Sequence, residues 1–124
     1  VDQLPLVSII DADVSVRRAL ARLISSMGFR AHTYGSAEKF LASADRDHAR
    51  CLILDVLLPG MDGLELQRLL SVLNVPIPVI FMTGGTAEVR QRAMNAGAVG
   101  VLDKPIRVQD LLAGVASALE VRQT

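Results

Sequence analysis

A chain of 124 residues, 51% hydrophobic but only 3% aromatic, has the material for one aliphatic core that needs no staples. Lys plus Arg and Asp plus Glu balance at 13 each, which removes any net field toward nucleic acid or an anionic membrane, and no apolar run approaches membrane-spanning length. The single cysteine, Cys51, excludes an internal disulfide, and Val1-Asp2-Gln3-Leu4-Pro5 lacks the basic and apolar stretches of a secretory signal, so the expectation is a cytoplasmic domain.

The first element is an aliphatic strand, Leu6-Val7-Ser8-Ile9-Ile10, which breaks into Asp11-Ala12-Asp13 and leaves two carboxylates at its carboxyl end. Val16, Leu20, Leu23, Ile24 and Met27 then recur at helical spacing, with Arg17, Arg18 and Arg22 on a solvated face and Gly28 as terminator. Phe29 to Tyr34 reads as a half-polar edge strand, and Ser36 followed by Glu38-Lys39-Phe40-Leu41 starts a short helix. His32 and His48 fall outside any cluster, which assigns them to the surface. The run Cys51-Leu52-Ile53-Leu54-Asp55-Val56-Leu57-Leu58-Pro59-Gly60 has the pattern of a strand covered on both faces in a parallel sheet, with one carboxylate where it leaves the sheet. Taken alone, Asp55 ahead of Pro59-Gly60 reads as a turn cap.

Gly63 opens a helix with Leu66, Leu69, Leu70 and Leu73 on one stripe, stopped by Pro76 and Pro78. The fourth strand, Val79-Ile80-Phe81-Met82, runs into Thr83-Gly84-Gly85. Thr86 caps the next helix, whose Val89, Ala93 and Ala96 face inward until Asn95-Ala96-Gly97 closes it. Val99 to Leu102 forms the fifth strand and ends in Asp103-Lys104-Pro105. Val108, Leu111, Leu112, Val115 and Leu119 mark a last amphipathic helix, and Arg122-Gln123-Thr124 reads as the start of a linker. Strands alternating with helices predict an α/β fold: a (βα)5 doubly wound, flavodoxin-like three-layer sandwich on a five-stranded parallel sheet, with residues 1–124 as a single domain. Periodicity leaves the strand order open. Of the doubly wound orders, 2-1-3-4-5 puts the weak second strand at an edge and collects Asp11, Asp13, Asp55, Thr83 and Lys104 on one rim.

Three carboxylates, a hydroxyl and an ammonium on one rim suit a divalent cation and a phosphoryl group. A hard cation such as Mg2+ takes carboxylate and carbonyl oxygens together with water and phosphate. An aspartate accepts a phosphoryl group as an acyl phosphate when metal and fixed positive charge offset the charge on the equatorial oxygens. On that chemistry Asp55 is ligand or nucleophile, Lys104 a point charge and Thr83 a hydrogen-bonding group, while Gly84 and Gly85 let the backbone come close.

Asp11 and Asp13 after the first strand, Asp55 before Leu58-Pro59-Gly60-Met61-Asp62-Gly63, Thr83-Gly84 and Lys104-Pro105 together resemble the receiver domain of two-component response regulators, over essentially the whole chain. Val16-Arg17-Arg18-Ala19-Leu20, Ser36-Ala37-Glu38-Lys39-Phe40-Leu41 and Met82-Thr83-Gly84 are most similar to the FixJ-type branch. The resemblance implies that Asp55 takes a phosphoryl group from a sensor histidine kinase or acetyl phosphate, with Thr83, Gly84 and Lys104 on the phosphate and the Lys104-Pro105 peptide cis. It implies Mg2+ on Asp11, Asp55 and the Leu57 backbone carbonyl, and catalysis limited to self-phosphorylation and dephosphorylation. It also implies a DNA-binding helix-turn-helix output domain beyond the C-terminus, no direct nucleic acid contact by this domain, and a homodimer or partner surface on the last two helices and the fifth strand.

Two positions depart from the family pattern. Ala12 stands where the family has the acid that holds the metal directly; either Asp13 reaches in to compensate or Mg2+ binding is weak. Val101 stands where the family has a switching Tyr or Phe, and a valine, stiff at its first torsion, has only small methyl displacements to offer. These departures favour a competing reading, an atypical receiver that dimerises or docks without phosphorylation. A further reading is a haloacid-dehalogenase-type phosphohydrolase with Asp11 as nucleophile and Asp13 as acid/base; it lacks a later acidic pair and a cap domain and leaves Asp55 unexplained. A flavin site would need a phosphate-cradling loop and an aromatic platform, and the chain has neither.

Overall fold

The computed structural model describes residues 4–123, with side chains described through residue 120. Residues 1–3 of the signal reading and Thr124 of the linker reading lie outside them. In chain order the elements are β1 (Leu6–Ile10), α1 (Val14–Ser26), β2 (Arg30–Tyr34), α2 (Ala37–Leu41), a 3-10 helix (Ala44–Asp47), β3 (Cys51–Asp55), α3 (Gly63–Val72), β4 (Val79–Thr83), α4 (Ala87–Asn95), β5 (Gly100–Asp103) and α5 (Val108–Gln123). The strands form one parallel sheet in the order β2-β1-β3-β4-β5, the doubly wound order with the half-polar strand at its edge.

Side-chain alternation explains why β1, β3 and β4 read as nearly unbroken apolar runs, since both faces of each strand are covered. Leu6, Ile10, Leu52, Leu54, Val79 and Phe81 pack into one layer with Phe40, Leu66, Leu70 and Ala93. Val7, Ile9, Cys51, Ile53, Ile80 and Met82 pack into the other with Leu20, Ile24, Leu111, Val115 and Ala118. Each fully buried Leu, Ile, Val or Phe is worth about 1.5–3 kcal/mol over its exposed state, so the two layers hold the strand ends in fixed register. Burial also pushes the Cys51 thiol up to about 12, which makes it an inert core group.

The helices depart from the sequence reading in definite ways. In α3, Leu64, Leu66 and Leu70 are buried while Leu73 is exposed; the helix ends at Val72, and Asn74, with a φ of 58°, turns the chain before either proline is reached. In α5 the buried stripe is Leu111, Val115, Ala118 and Leu119; Val108 and Leu112 lie one helical step around and are exposed. The helix continues to Gln123, so Arg122 and Gln123 are helical rather than linker. The 3-10 helix at Ala44–Asp47, started by the Ser43 hydroxyl accepting the Asp45 N–H, lacks apolar periodicity and was not expected. It also gives His32, exposed as the sequence suggests, a partner: its Nδ1 lies 2.7 Å from Asp45 Oδ2, the same oxygen that accepts the Tyr34 hydroxyl.

Candidate functional site

The carboxyl ends of β1, β3, β4 and β5 carry Asp11, Asp55, Thr83 and Lys104 respectively, and the strand order sets them side by side. Lys104 reaches across the end of β4, and its Nζ donates to Asp11 Oδ2 at 2.8 Å and to Asp55 Oδ2 at 2.9 Å. Both acids are nearly sealed, Asp11 at 1% and Asp55 at 8% exposure. Groups 93 and 49 residues away from Lys104 in sequence therefore share one ammonium. The Lys104-Pro105 peptide is cis.

Each carboxylate keeps its second oxygen for the backbone. Asp11 Oδ1 accepts the Asp13 N–H at 2.8 Å, and Asp55 Oδ1 accepts the Leu57 N–H at 3.1 Å. The bond to Leu57 makes a turn at the end of β3, ahead of the Pro59-Gly60 turn that the sequence suggested Asp55 would cap, and the same carboxylate lies in the pocket. Burial pushes the Asp55 carboxyl up, and Asp11 adds to this, against the opposing pull of Lys104 and the Leu57 N–H. For Lys104 burial acts downward, but the hydrogen bonds and charges of Asp11 and Asp55 outweigh it and hold the ammonium above its usual range.

Local structure fixes both acid-bearing loops. After β1, the Asp11 N–H donates to the Tyr34 carbonyl at 3.1 Å, and Arg17 Nη1 donates to the carbonyls of Asp11 at 2.8 Å and Ala12 at 3.1 Å. After β3, the Gly63 N–H closes on the Val56 carbonyl at 2.9 Å. A Cβ at Gly63 would lie 2.3 Å from the Asp55 carbonyl oxygen, so only glycine fits there. Asp62 and Glu65 then start α3 with a reciprocal capping box.

The other expected residues occupy distinct places. Asp13 is exposed and caps α1, its Oδ1 accepting the Ser15 N–H at 2.8 Å. Thr83 is 2% exposed, and its hydroxyl oxygen accepts the Gly85 N–H at 2.9 Å. A Cβ at Gly84 would meet nothing within 4 Å, which marks open space beside Thr83. Val101 is buried on β5 opposite Phe81, and the Leu57 side chain is 72% exposed. Arg17, read from the sequence as part of a solvated face, proves to brace the first loop. Its position in the first turn of α1 was the available signal, because helical side chains lean back toward the N-terminus.

Among the described residues no group of three or more His, Cys, Asp or Glu side chains could hold a metal. The pocket offers two carboxylates, Asp11 and Asp55, converging on one cationic position now held by Lys104 Nζ. That donor set fits a hard cation which keeps much of its water, as Mg2+ does, and offers nothing to a soft metal.

The chain matches the model of the response regulator receiver domain over residues 7–116. It is 45% identical over 116 residues to nodulation protein W of Bradyrhizobium diazoefficiens, covering 93% of this chain and 51% of that protein. It is 35% identical over 112 residues to transcriptional regulatory protein FixJ of the same organism, covering 90% of this chain and 55% of that one. The crystal structure of FixJ-N superposes with a TM-score of 0.85 at 34% identity, covering 96% of each chain. The chain spans about half the length of the curated relatives it matches. Among the described residues no helix is long and apolar enough to cross a membrane. With the strand order, the shared ammonium and these likenesses in agreement, the chain belongs to the response regulator receiver domain family of two-component systems.

Proposed function

We propose that residues 1–124 form one cytoplasmic receiver domain that accepts a phosphoryl group on Asp55, from a sensor histidine kinase or a small donor such as acetyl phosphate, and so switches a transcriptional output domain beyond its C-terminus. The observation that carries this is the Lys104 ammonium held at 2.8 and 2.9 Å on two nearly sealed carboxylates at adjacent strand ends. A carboxylate oxygen of Asp55 attacks phosphorus in line as the bond from phosphorus to the donor's leaving atom breaks. Lys104 is placed to offset the charge gathering on the phosphoryl oxygens. The Thr83 hydroxyl, released from the Gly85 N–H, donates to one of those oxygens, and the open space at Gly84 admits the group. Asp11, Asp55 and the Leu57 carbonyl are the residues that would hold Mg2+; when bound, it supplies the further positive charge that the two carboxylates call for. Asp13 is the one additional acid beside them in sequence.

Val101 has no ring to swing, so the change at Thr83 is read out by the Thr83-to-Thr86 loop and α4. There Arg90 Nη1 pairs with Asp103 Oδ1 at 2.9 Å, tying α4 to the end of β5. A groove of about 620 Å3 beside this pair, bordered by Arg90, Val101, Asp103, Pro105 and Arg107, supports reading the α4–β5–α5 face as the surface for a partner or a second copy. Incubation with acetyl phosphate and Mg2+ followed by intact-mass measurement tests the reading. The expected result is a single phosphoryl adduct that maps to Asp55 and is absent from Asp55→Asn. No adduct at any Mg2+ concentration would instead favour a docking module that works unphosphorylated, as Ala12 and Val101 suggest, and an adduct on Asp11 would favour the phosphohydrolase reading.

A further inference from the structure

We infer that Glu38 is a positioning residue for the loop that follows Asp55, acting from α2, outside the pocket. Most ties of that loop are internal: the Leu57 N–H to Asp55, the Gly63 N–H to Val56, and the Asp62–Glu65 capping box. Glu38 comes from another element. Its Oε2 accepts the Met61 N–H at 3.0 Å. The same oxygen lies against Gly60, where a Cβ would sit 2.6 Å from it, and Gly60 has a φ of +72°. A glycine at residue 60 thus both makes the turn and admits the carboxylate. The bond to the Met61 N–H holds the Glu38 carboxyl below the usual carboxylate range, as a hydrogen bond to the charged form should.

The base from which Glu38 acts is rigid. Ser36 caps α2 by accepting the Lys39 N–H, Phe40 is fully buried, and the Tyr34 ring meets Phe40 edge-on with centroids 5.5 Å apart. A carboxylate on this base fixes Met61, and through Met61 the path of the short chain back to Leu57. Leu57 in turn holds Asp55 by its N–H and, on the receiver reading, presents its carbonyl to Mg2+. The significance of the clamp rests on that reading, but the clamp itself does not.

Three proteins decide the matter: wild type, Glu38→Gln and Glu38→Ala, all first shown to melt cooperatively. Amide hydrogen exchange at Met61 without metal reads the clamp directly, and calorimetric titration with Mg2+ of the unphosphorylated protein reads its consequence. Glu38→Ala should speed Met61 exchange and weaken Mg2+ binding on the order of tenfold, as loss of an outer support typically does. Glu38→Gln keeps an acceptor oxygen and should remain within about twofold of wild type on both measures. Unchanged exchange in Glu38→Ala, or a Gln variant as damaged as the Ala variant, overturns the inference. A wild-type protein that takes no phosphoryl group from acetyl phosphate would sink the phosphoacceptor reading alone, because Met61 exchange reports on the clamp regardless.

Discussion

The two loops that bring acids to the pocket are built on different plans. Three residues separate β1 from α1, and seven separate β3 from α3. The short loop is bound at almost every polar atom: Asp11 by its N–H, its carbonyl and its carboxylate, Ala12 by its carbonyl, and Asp13 by the helix it caps. The long loop folds back on itself through Gly63 and is steadied from outside by Glu38. Ala12, where the family resemblance implies a carboxylate, therefore stands on the loop least free to move. Recruiting Asp13 to the pocket means surrendering an N-cap worth about 1 kcal/mol, which sets a concrete cost on compensation.

Lys104 joins the two loops, so Lys104→Met should have the largest effect on stability. It leaves two nearly sealed carboxylates facing one another with only one N–H each, and a loss of about 2 kcal/mol at neutral pH is expected from denaturant titration. The sign with pH follows from the raised ammonium: its contribution is complete below the ordinary lysine range and is lost as pH rises through the folded-state value, so the two proteins should converge in strong alkali. Convergence at neutral pH would show that the shared ammonium does not unite the loops.

Restoring the missing charge sharpens the contrast from the other side. Ala12→Asp adds a carboxylate to the rigid loop and should tighten Mg2+ binding on the order of tenfold by calorimetry, since ligand charge governs affinity for hard cations. If affinity is unchanged, Asp13 already supplies that charge and the short loop is more adaptable than its hydrogen bonds imply.

The smallest effect concerns the long loop alone. Burial raises the Asp55 carboxyl, so the folded protein retains a proton there at a pH where the unfolded chain has released it. Charge on Asp55 therefore counts against the fold above its folded-state value, and the penalty fades as pH falls through that value. Asp55→Asn should melt above wild type near neutral pH, with the gap closing on acidification. A gap that stays constant with pH would assign the difference to packing rather than charge.

The sequence made the pocket legible because its acids and the Thr83 hydroxyl end runs buried on both faces, its ammonium follows a short fifth strand, and parallel strands of one sheet place their carboxyl ends on one rim whatever the loops do. Periodicity left the strand order open, and the polarity of Arg30–Tyr34, which suits an edge, only favoured 2-1-3-4-5 among the doubly wound orders. The supporting residues were harder to read. Arg17 and Glu38 look like ordinary surface charges because their partners are backbone atoms, the carbonyls of Asp11 and Ala12 and the N–H of Met61, which carry no signature in the sequence. In α5, helical period alone did not separate the stripe of Leu111, Val115, Ala118 and Leu119 from the flanking Val108 and Leu112, since all five expected positions are apolar and only packing against Ile80 and Met82 chooses between them.

The cluster at the far side of the sheet has a consequence for how copies of this chain behave in crowded solution. On β2, His32 and Tyr34 converge on Asp45, which brings the 3-10 helix alongside the outermost strand, and Arg30 adds a charge at its start. An open strand margin is the usual template for runaway association, and charge, brevity and a covering turn are the usual guards against it. Here the guards are brevity, a strand of five residues, and the charge of Arg30, while Asp45 holds the His32 and Tyr34 side chains along it, so replacing Arg30 by an apolar residue would leave a margin where further chains add.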